Sequence, residues 1–306
     1  MRAVVTGATG AVGMALLTEL EKNRVETTVL CRKGSKRNCR IVESQYIRKL
    51  ECSLAELSEL SLEGEEYDVF YHLAWEGTTG DSRNDMTLQN NNVKYTLEAL
   101  SLAERLGCKA FVGAGSQAEY GRVEGKISPD TPAFPENGYG IAKLCAGQMC
   151  RVRAKSAGIR LVWARILSVY GPYDTEGSMI MSTVKKLLSG EVPEFTPGEQ
   201  IWDYLYSADA AKALYLLGIT ERAEGIYCLG SGKGRALKDY ITALRDEIDP
   251  HAELGLGRIP YAEKQVMYLC ADIEKLTADT GFTPRTIFAD GIKETVGWYK
   301  KENNIL

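Results

Sequence analysis

Histidine is almost missing from this 306-residue chain. The two that exist, His72 and His251, stand far apart, with no His-Glu-x-x-His run and no Cys-x-x-Cys pair beside them. A zinc site draws on clustered Cys and His ligands, so no metal is expected. An excess of positive charge is missing too: Lys+Arg 37 against Asp+Glu 41 leaves a formal net charge of −4. Nucleic acid and anionic membranes both reward a concentrated basic surface, and neither is an expected partner. No apolar run approaches the roughly 18 residues at which a membrane span becomes arguable. The eight cysteines are scattered singly, and the chain opens on an apolar strand pattern instead of a signal peptide. A soluble protein of the reducing cytoplasm is expected, with small molecules as its partners.

What is present is the composition of an ordinary globular protein, 44% hydrophobic and 25% charged, in a length that suits one or two domains. The first half alternates short apolar runs with helical periodicity, the pattern of βαβ units feeding a parallel sheet. Candidate strands are Ala3 to Thr6, Thr27 to Cys31, Asp68 to Leu73, Ala110 to Gly113 and Leu161 to Ala164. Val12, Leu16, Leu17 and Leu20 share one helical face, and Val93, Leu97, Leu100 and Leu106 share another. A doubly wound α/β domain over residues 1–171 follows. Past Gly171 and Pro172 the pattern turns to helices between Gly and Pro turns: Met179 to Leu188, Ala208 to Leu217, Leu237 to Ile248 and Asp272 to Thr280. Residues 172–306 read as a smaller, mainly helical lobe, with the segment near 223–236 returning to the main sheet through the apolar Ile226 to Leu229.

Thr6-Gly7-Ala8-Thr9-Gly10-Ala11-Val12-Gly13 follows the first strand at once and opens the first helix. In that setting Gly7 permits a tight turn, Gly10 lets a pyrophosphate approach the backbone, and Gly13 lets helix pack on strand. The helix amides then face negative charge. A dinucleotide cradle and a purely structural strand-to-helix corner both fit this turn taken alone. The second strand runs into Arg32-Lys33-Gly34-Ser35-Lys36-Arg37, four cations and no carboxylate. An acidic residue there takes the ribose hydroxyls of NAD, whereas arginine accommodates an extra 2′-phosphate. NADP(H) is therefore the preferred cofactor, with NAD(H) and a merely solvated basic loop as alternatives.

Tyr139-Gly140-Ile141-Ala142-Lys143 sets a phenol and an ammonium four residues apart, on one face if the segment is helical. A nearby cation favours phenolate and lowers the phenol pKa, so Tyr139 can exchange a proton with a carbinol or carbonyl oxygen. Ser116 ends a strand at the sheet edge where α/β ligands bind, and its hydroxyl can hold that same oxygen. The three together polarise a C=O for hydride transfer.

With these motifs on view, the chain resembles the extended short-chain dehydrogenase/reductases of the NAD-dependent epimerase/dehydratase family. The likeness runs from the glycine turn through His72-Leu73-Ala74, Asn92-Val93, Ser116 to Gly121, Tyr139 to Lys143 and Val169-Tyr170-Gly171-Pro172 to Trp202-Asp203-Tyr204. It implies a Rossmann domain for NAD(P), a C-terminal lobe for a nucleoside-diphosphate sugar, and catalytic roles for Ser116, Tyr139 and Lys143. Beyond the turn and Arg32, it implies cofactor contacts at Ser53, Leu54, Leu73, Ala74, Asn92, Tyr139, Lys143 and Ile166. Substrate contacts are implied at Trp75, Ser116, Gln117, Ser168 and Trp202. A homodimer through the Tyr139 helix and the helix starting near Asn92 is expected on the same ground.

Dehydratases of this family carry an Asp-Glu pair directly after the catalytic hydroxyl residue; here stand Gln117 and Ala118, so dehydration is not expected unless Glu119 or another carboxylate substitutes. The phrases Gly115 to Gly121 and Gly198 to Tyr204 resemble nucleotide-sugar 4-reductases of the CDP-abequose synthase type, so NADPH-dependent reduction of a 4-keto-deoxyhexose is the leading expectation. An epimerase with tightly bound NAD, and a non-catalytic NAD(P) sensor or scaffold, are the alternatives. Trp202 and Ser168 stand where many relatives have Arg and Asn. His72 is expected to be a packed ring donating to backbone, and Trp75 to Asp85 to be a substrate wall, a lid or a plain surface connection.

Overall fold

The computed structural model describes residues 1–62, 64 and 66–305. In chain order the elements are β1 (Arg2–Thr6), α1 (Ala11–Lys22), β2 (Glu26–Cys31), β3 (Ile47–Glu51), β4 (Val69–His72), α2 (Met86–Arg105), β5 (Ala110–Ser116), α3 (Gly138–Ala157), β6 (Arg160–Ile166) and β7 (Ser168–Tyr170). There follow α4 (Met179–Leu188), β8 (Ile201–Trp202), β9 (Tyr204–Tyr206), α5 (Ser207–Ile219), β10 (Gly225–Leu229), β11 (Arg235–Ala236), α6 (Leu237–Ile248), β12 (Tyr268–Leu269), α7 (Glu274–Thr280) and α8 (Phe288–Glu302).

Seven parallel strands form the main sheet in the order β10-β6-β5-β4-β1-β2-β3. The order reverses between β1 and β4, where Thr6 pairs with His72, and a crevice opens beyond the strand ends at such a switch point. Central strands are covered on both faces, so Val4, Val5, Phe70, Tyr71, Phe111 and Val112 are all buried. The return of the Ile226 to Leu229 segment is observed: β10 lies parallel to β6 at the sheet's end.

The helices are distributed differently from the expectation. The sequence alone puts Ala208 to Leu217 in the second lobe, but α5 packs beside α1 on the main sheet. Ala210, Ala211, Leu214 and Leu217 share one apolar core with Leu16, Leu17 and Leu20. Its alanines explain the placement, because small side chains allow two helices and a sheet to meet closely. Leu276 of α7 joins the same core. On the opposite face α2 and α3 cover the sheet through Ala99, Leu100, Ala103, Cys150 and Ala154. The smaller lobe is built around α4, α6 and α8, with Ile180, Val184, Leu244, Ile292 and Val296 at its centre. The sequence reading misses α8, whose Gly291 lowers helix propensity. A Cβ at Gly291 would lie 2.2 Å from the Tyr170 hydroxyl, so glycine is needed there for packing.

Two short sheets join the lobe to the main body, β7 with β9 and β11-β8-β12. Between β8 and β9 the fully buried Asp203 accepts hydrogen bonds from the amides of Ser231, Gly232 and Ala271 at 2.8, 3.0 and 3.0 Å. The Trp-Asp-Tyr phrase is thus a knot that ties the end of β10 to the lobe.

Candidate active site

The glycine turn is shaped by close approach on two sides and by open space on the third. Gly7 has φ +75°, and a Cβ there would come within 2.4 Å of the Ala74 amide nitrogen. A Cβ at Gly13 would lie 2.5 Å from the Gly7 carbonyl oxygen, whereas Gly10 has nothing within 4 Å of that position. The bare backbone at Gly10, next to the first amides of α1, is the surface that a pyrophosphate requires. A crevice of ≈280 Å³ lies against it, lined by Gly7, Thr9, Arg32, Ser53, Leu54, Ala74 and Trp75 among others. These residues fit a dinucleotide.

Other expected cofactor residues are not among those lining this crevice. Val12, Leu73 and Ile166 pack against the main core, and Ala11 lines a separate groove with Tyr173 and Trp298. Asn92 is spent on the chain itself. Its Oδ1 accepts from the Glu76 amide at 2.9 Å, and its Nδ2 donates to the carbonyls of Glu76 and Leu88 at 2.9 and 3.1 Å. Asn92 therefore anchors the loop after β4.

The basic turn after β2 is less cationic than its sequence. Arg32 and Arg37 line the crevice, but two carboxylates from other elements meet this turn. Glu51 at the end of β3 accepts from the Gly34 amide at 3.4 Å, and Glu76 lies 3.7 Å from the exposed Arg32 guanidinium. Neither could be read from the local run of residues.

Ser116 ends β5, and the tight turn Gln117–Glu119 follows it. Its hydroxyl accepts from the Ala118 amide at 3.2 Å and favours the ionised form of the Tyr139 phenol. Tyr139 and Lys143 occupy successive turns at the start of α3, which Asn137 caps by accepting from the Gly140 amide at 2.9 Å. Both side chains are buried, and Lys143 Nζ donates to the Ala114 carbonyl at 2.6 Å. Trp75 links this group to the crevice that it lines. Its ring meets Tyr139 edge-on at 6.1 Å and takes the Lys143 ammonium at 3.8 Å from its centroid.

The electrostatics add a residue to the group. Burial raises the Tyr139 pKa, opposed by the Ser116 hydrogen bond and then by the charge of Arg83. Arg83 Cζ sits 4.5 Å from the Tyr139 ring centroid. Arg83, which the sequence reading overlooks, is thus a second cation beside the phenol; Lys143 Nζ lies 5.9 Å from the same ring centroid. Lys143 is pushed down to about 7 by burial, with the Glu119 carboxylate pulling the other way.

Glu119 is fully buried and wholly committed: its two oxygens take the Ser116 amide at 2.8 Å, the Trp163 indole at 3.0 Å and Arg165 Nε at 2.7 Å. It is not free to replace the missing Asp-Glu pair. Gln117 is half-buried in the same turn. His72 bridges two hydroxyls instead of donating to backbone, with Nδ1 at 2.9 Å from Thr6 Oγ1 and Nε2 at 3.3 Å from Thr96 Oγ1. Burial, then the nearby Lys143 charge, pushes its pKa down to about 3. Ser168 and Trp202 touch each other in the smaller sheets. Among the described residues no group of three His, Cys, Asp or Glu could hold a metal ion, and no helix is long and apolar enough to cross a membrane.

A parallel sheet with a glycine turn at its switch point and a Tyr-x-x-x-Lys helix beside it defines a Rossmann-like α/β protein of the short-chain dehydrogenase/reductase type. The model of the NAD dependent epimerase/dehydratase family matches residues 3–230, and the chain belongs to that family. It is 24% identical to a dTDP-glucose 4,6-dehydratase of Salmonella typhimurium over 98% of this chain and 92% of that one. It is 26% identical to an uncharacterized UDP-glucose epimerase of Bacillus subtilis, over 97% and 98%. Among solved structures, it superposes with TM-score 0.88 and 21% identity on a UDP-N-acetylglucosamine 4-epimerase from Methanobrevibacter ruminantium in complex with UDP-N-acetylmuramic acid, over 98% of both chains. A UDP-glucuronic acid 4-epimerase from Bacillus cereus in complex with NAD gives TM-score 0.85 at 22% identity, over 98% and 97%.

Proposed function

We propose that the protein is an NAD(P)-dependent oxidoreductase acting at C4 of a nucleoside-diphosphate sugar. The observation that carries this reading is the contact of Trp75 with both Tyr139 and Lys143 while it lines the glycine-turn crevice. That contact sets a proton donor beside the space a nicotinamide would fill. When bound, the nicotinamide supplies or accepts the hydride. Tyr139 gives its proton to the C4 oxygen in reduction and takes it back in oxidation; Ser116 hydrogen bonds to the same oxygen and orients it. Lys143 holds the ribose hydroxyls. Arg83 favours the charge that the phenol acquires when its proton leaves.

Two outcomes of this chemistry are supported by different observations. Arg32 and Arg37 on the crevice wall favour consumption of NADPH by a 4-keto-deoxyhexose reductase. The UDP-sugar and the NAD held by the similar epimerase structures, and the carboxylates of Glu51 and Glu76 at the basic turn, favour an epimerase that keeps NAD. Dehydration is disfavoured by Gln117, Ala118 and the committed Glu119.

The deciding experiment assays UDP-, dTDP- and CDP-linked 4-keto sugars and their 4-hydroxy counterparts with NADH, NADPH and no added cofactor. Cofactor consumption identifies the reductase, and C4 inversion with cofactor released only on denaturation identifies the epimerase. No C4 chemistry with any member of the panel would overturn the reading. The homodimer rests on the family resemblance and on exposed Ile141, Met149 and Val152 of α3, the last two lining a groove of ≈610 Å³ with Leu97 of α2. Light scattering tests it.

A further inference from the structure

Behind the Ser116–Tyr139–Lys143 group lies a charged pair with almost no access to water. Arg165 of β6 is 3% exposed and Glu119 0%, and Arg165 Nε donates to Glu119 Oε2 at 2.7 Å. Removing two ions from water is costly, and well-packed apolar residues often serve stability as well or better. A purely structural account of the pair is therefore weak.

Its connections run toward the catalytic group. Glu119 Oε1 accepts from the Ser116 amide at 2.8 Å and from Trp163 Nε1 at 3.0 Å. No other side chain fits at the preceding position: a Cβ on Gly115 would lie 2.6 Å from Glu119 Oε1 and 2.5 Å from Trp163 Nε1. The backbone entering Ser116 is thus pressed against the carboxylate. On its other flank the Arg165 guanidinium covers the Tyr120 ring at 4.3 Å.

We propose that the Glu119–Arg165 pair is a positioning element of the site, in which Glu119 fixes the Ser116 backbone and sets a negative charge against the same strand end whose Ala114 carbonyl holds Lys143 Nζ at 2.6 Å. This rests on the proposed function for its meaning, though not for its test. The groups around Lys143 support it. Tyr139 comes from the same helix, and Arg83 from the Gly80–Asn84 turn stands over Tyr139. His72 comes from β4, uncharged near neutrality, and the Ala114 carbonyl from β5. Trp75 comes from the loop after β4, and Glu119 from the turn after β5 with Arg165 behind it. Of these, Glu119 brings the anionic charge. Burial favours the neutral amine and Glu119 the ammonium, which leaves Lys143 at about 7.

The test reads Lys143 without substrate or cofactor. Protein labelled with ¹³C,¹⁵N-lysine is titrated by NMR, with the Lys143 signal assigned by its loss in Lys143→Arg. The wild-type midpoint is expected near 7. In Glu119→Gln the midpoint falls by about half a unit or more, a roughly threefold drop in the ammonium-to-amine ratio at a given pH. Because Glu119→Gln strands a buried arginine, Glu119→Gln/Arg165→Met is measured beside it. That neutral pair keeps the fold and still shows the lowered midpoint.

A fallen midpoint in either folded variant supports the proposal. An unchanged midpoint in every variant that folds overturns it, and so does failure of both to fold, since the pair would then serve the fold alone. If the sugar panel gives no turnover while the midpoint falls, the function fails and the positioning role stands. Where turnover is found, its pH profile moves to lower pH with the lysine.

Discussion

Trp202 Nε1 donates to Ser168 Oγ at 2.8 Å, joining the end of β8 to the start of β7. Two positions that the sequence singles out on the substrate side are therefore one contact. The indole also packs beside Leu167, Cys228 and Leu269, so its ring is part of the lobe's apolar support and its N–H is the polar part.

Trp202→Phe keeps most of the ring and frees the Ser168 hydroxyl. Loss of one hydrogen bond of about 1 kcal/mol corresponds to a roughly fivefold change in binding. KM for the nucleotide sugar is expected to rise by about that factor, with kcat and cofactor affinity unchanged. Calorimetric titration with cofactor and with nucleoside diphosphate separates the two, and equal losses for both would remove Trp202 from the substrate side.

Tyr139→Phe removes the phenol whose ionised form Ser116 favours. A positioned acid contributes about 10²–10⁴-fold, so kcat is expected to fall by that much. Cofactor binding, read by quenching of Trp75 emission, is expected to survive because the ring still meets the indole edge-on. Retained turnover would mean that another group carries the proton.

How much of this was legible in the sequence follows from distance along the chain. The glycine turn spans eight residues and Tyr139 and Lys143 one helical turn, so their spacing alone points to the chemistry. Arg83 meets Tyr139 only because the turn Gly80–Asn84 folds over α3, and no local pattern marks it. Glu119 and Arg165 are 46 residues apart on neighbouring elements. The same holds for Glu51 and the basic turn, where a run of cations gives no sign of the carboxylate that β3 brings beside it. Asn92 shows the converse. A polar residue in a recognised motif is bound to the chain's own loop, which a motif cannot reveal. The side of the sheet taken by α5 is likewise a property of packing, set by α1 across from it.

Arg32→Ala tests the choice of cofactor. Arg32 lines the crevice, is exposed, and its guanidinium lies 3.7 Å from the Glu76 carboxylate. If it meets a 2′-phosphate, NADPH affinity falls about tenfold or more while NADH changes little. Equal losses for both would remove that contact. Glu76→Gln is expected to act oppositely, raising NADPH affinity by releasing the guanidinium.

His72 makes acid stability the last measurable consequence. Its folded pKa is pushed down to about 3 from 6.5 by burial and then by Lys143. Between these values the unfolded chain binds a proton that the folded chain refuses, so stability must fall as pH drops from about 6.5 toward 3. The loss comes from the unfolded state gaining a proton, with the native Thr6 and Thr96 contacts still in place. His72→Asn, which retains hydrogen-bonding capacity between the two hydroxyls, is expected to be less stable than the parent at pH 7 because it loses ring packing. The difference should narrow steadily between pH 6 and 4, where only the parent pays this linkage cost. Urea midpoints at several pH values check it, and parallel curves for the two proteins would show that His72 titrates alike in both states.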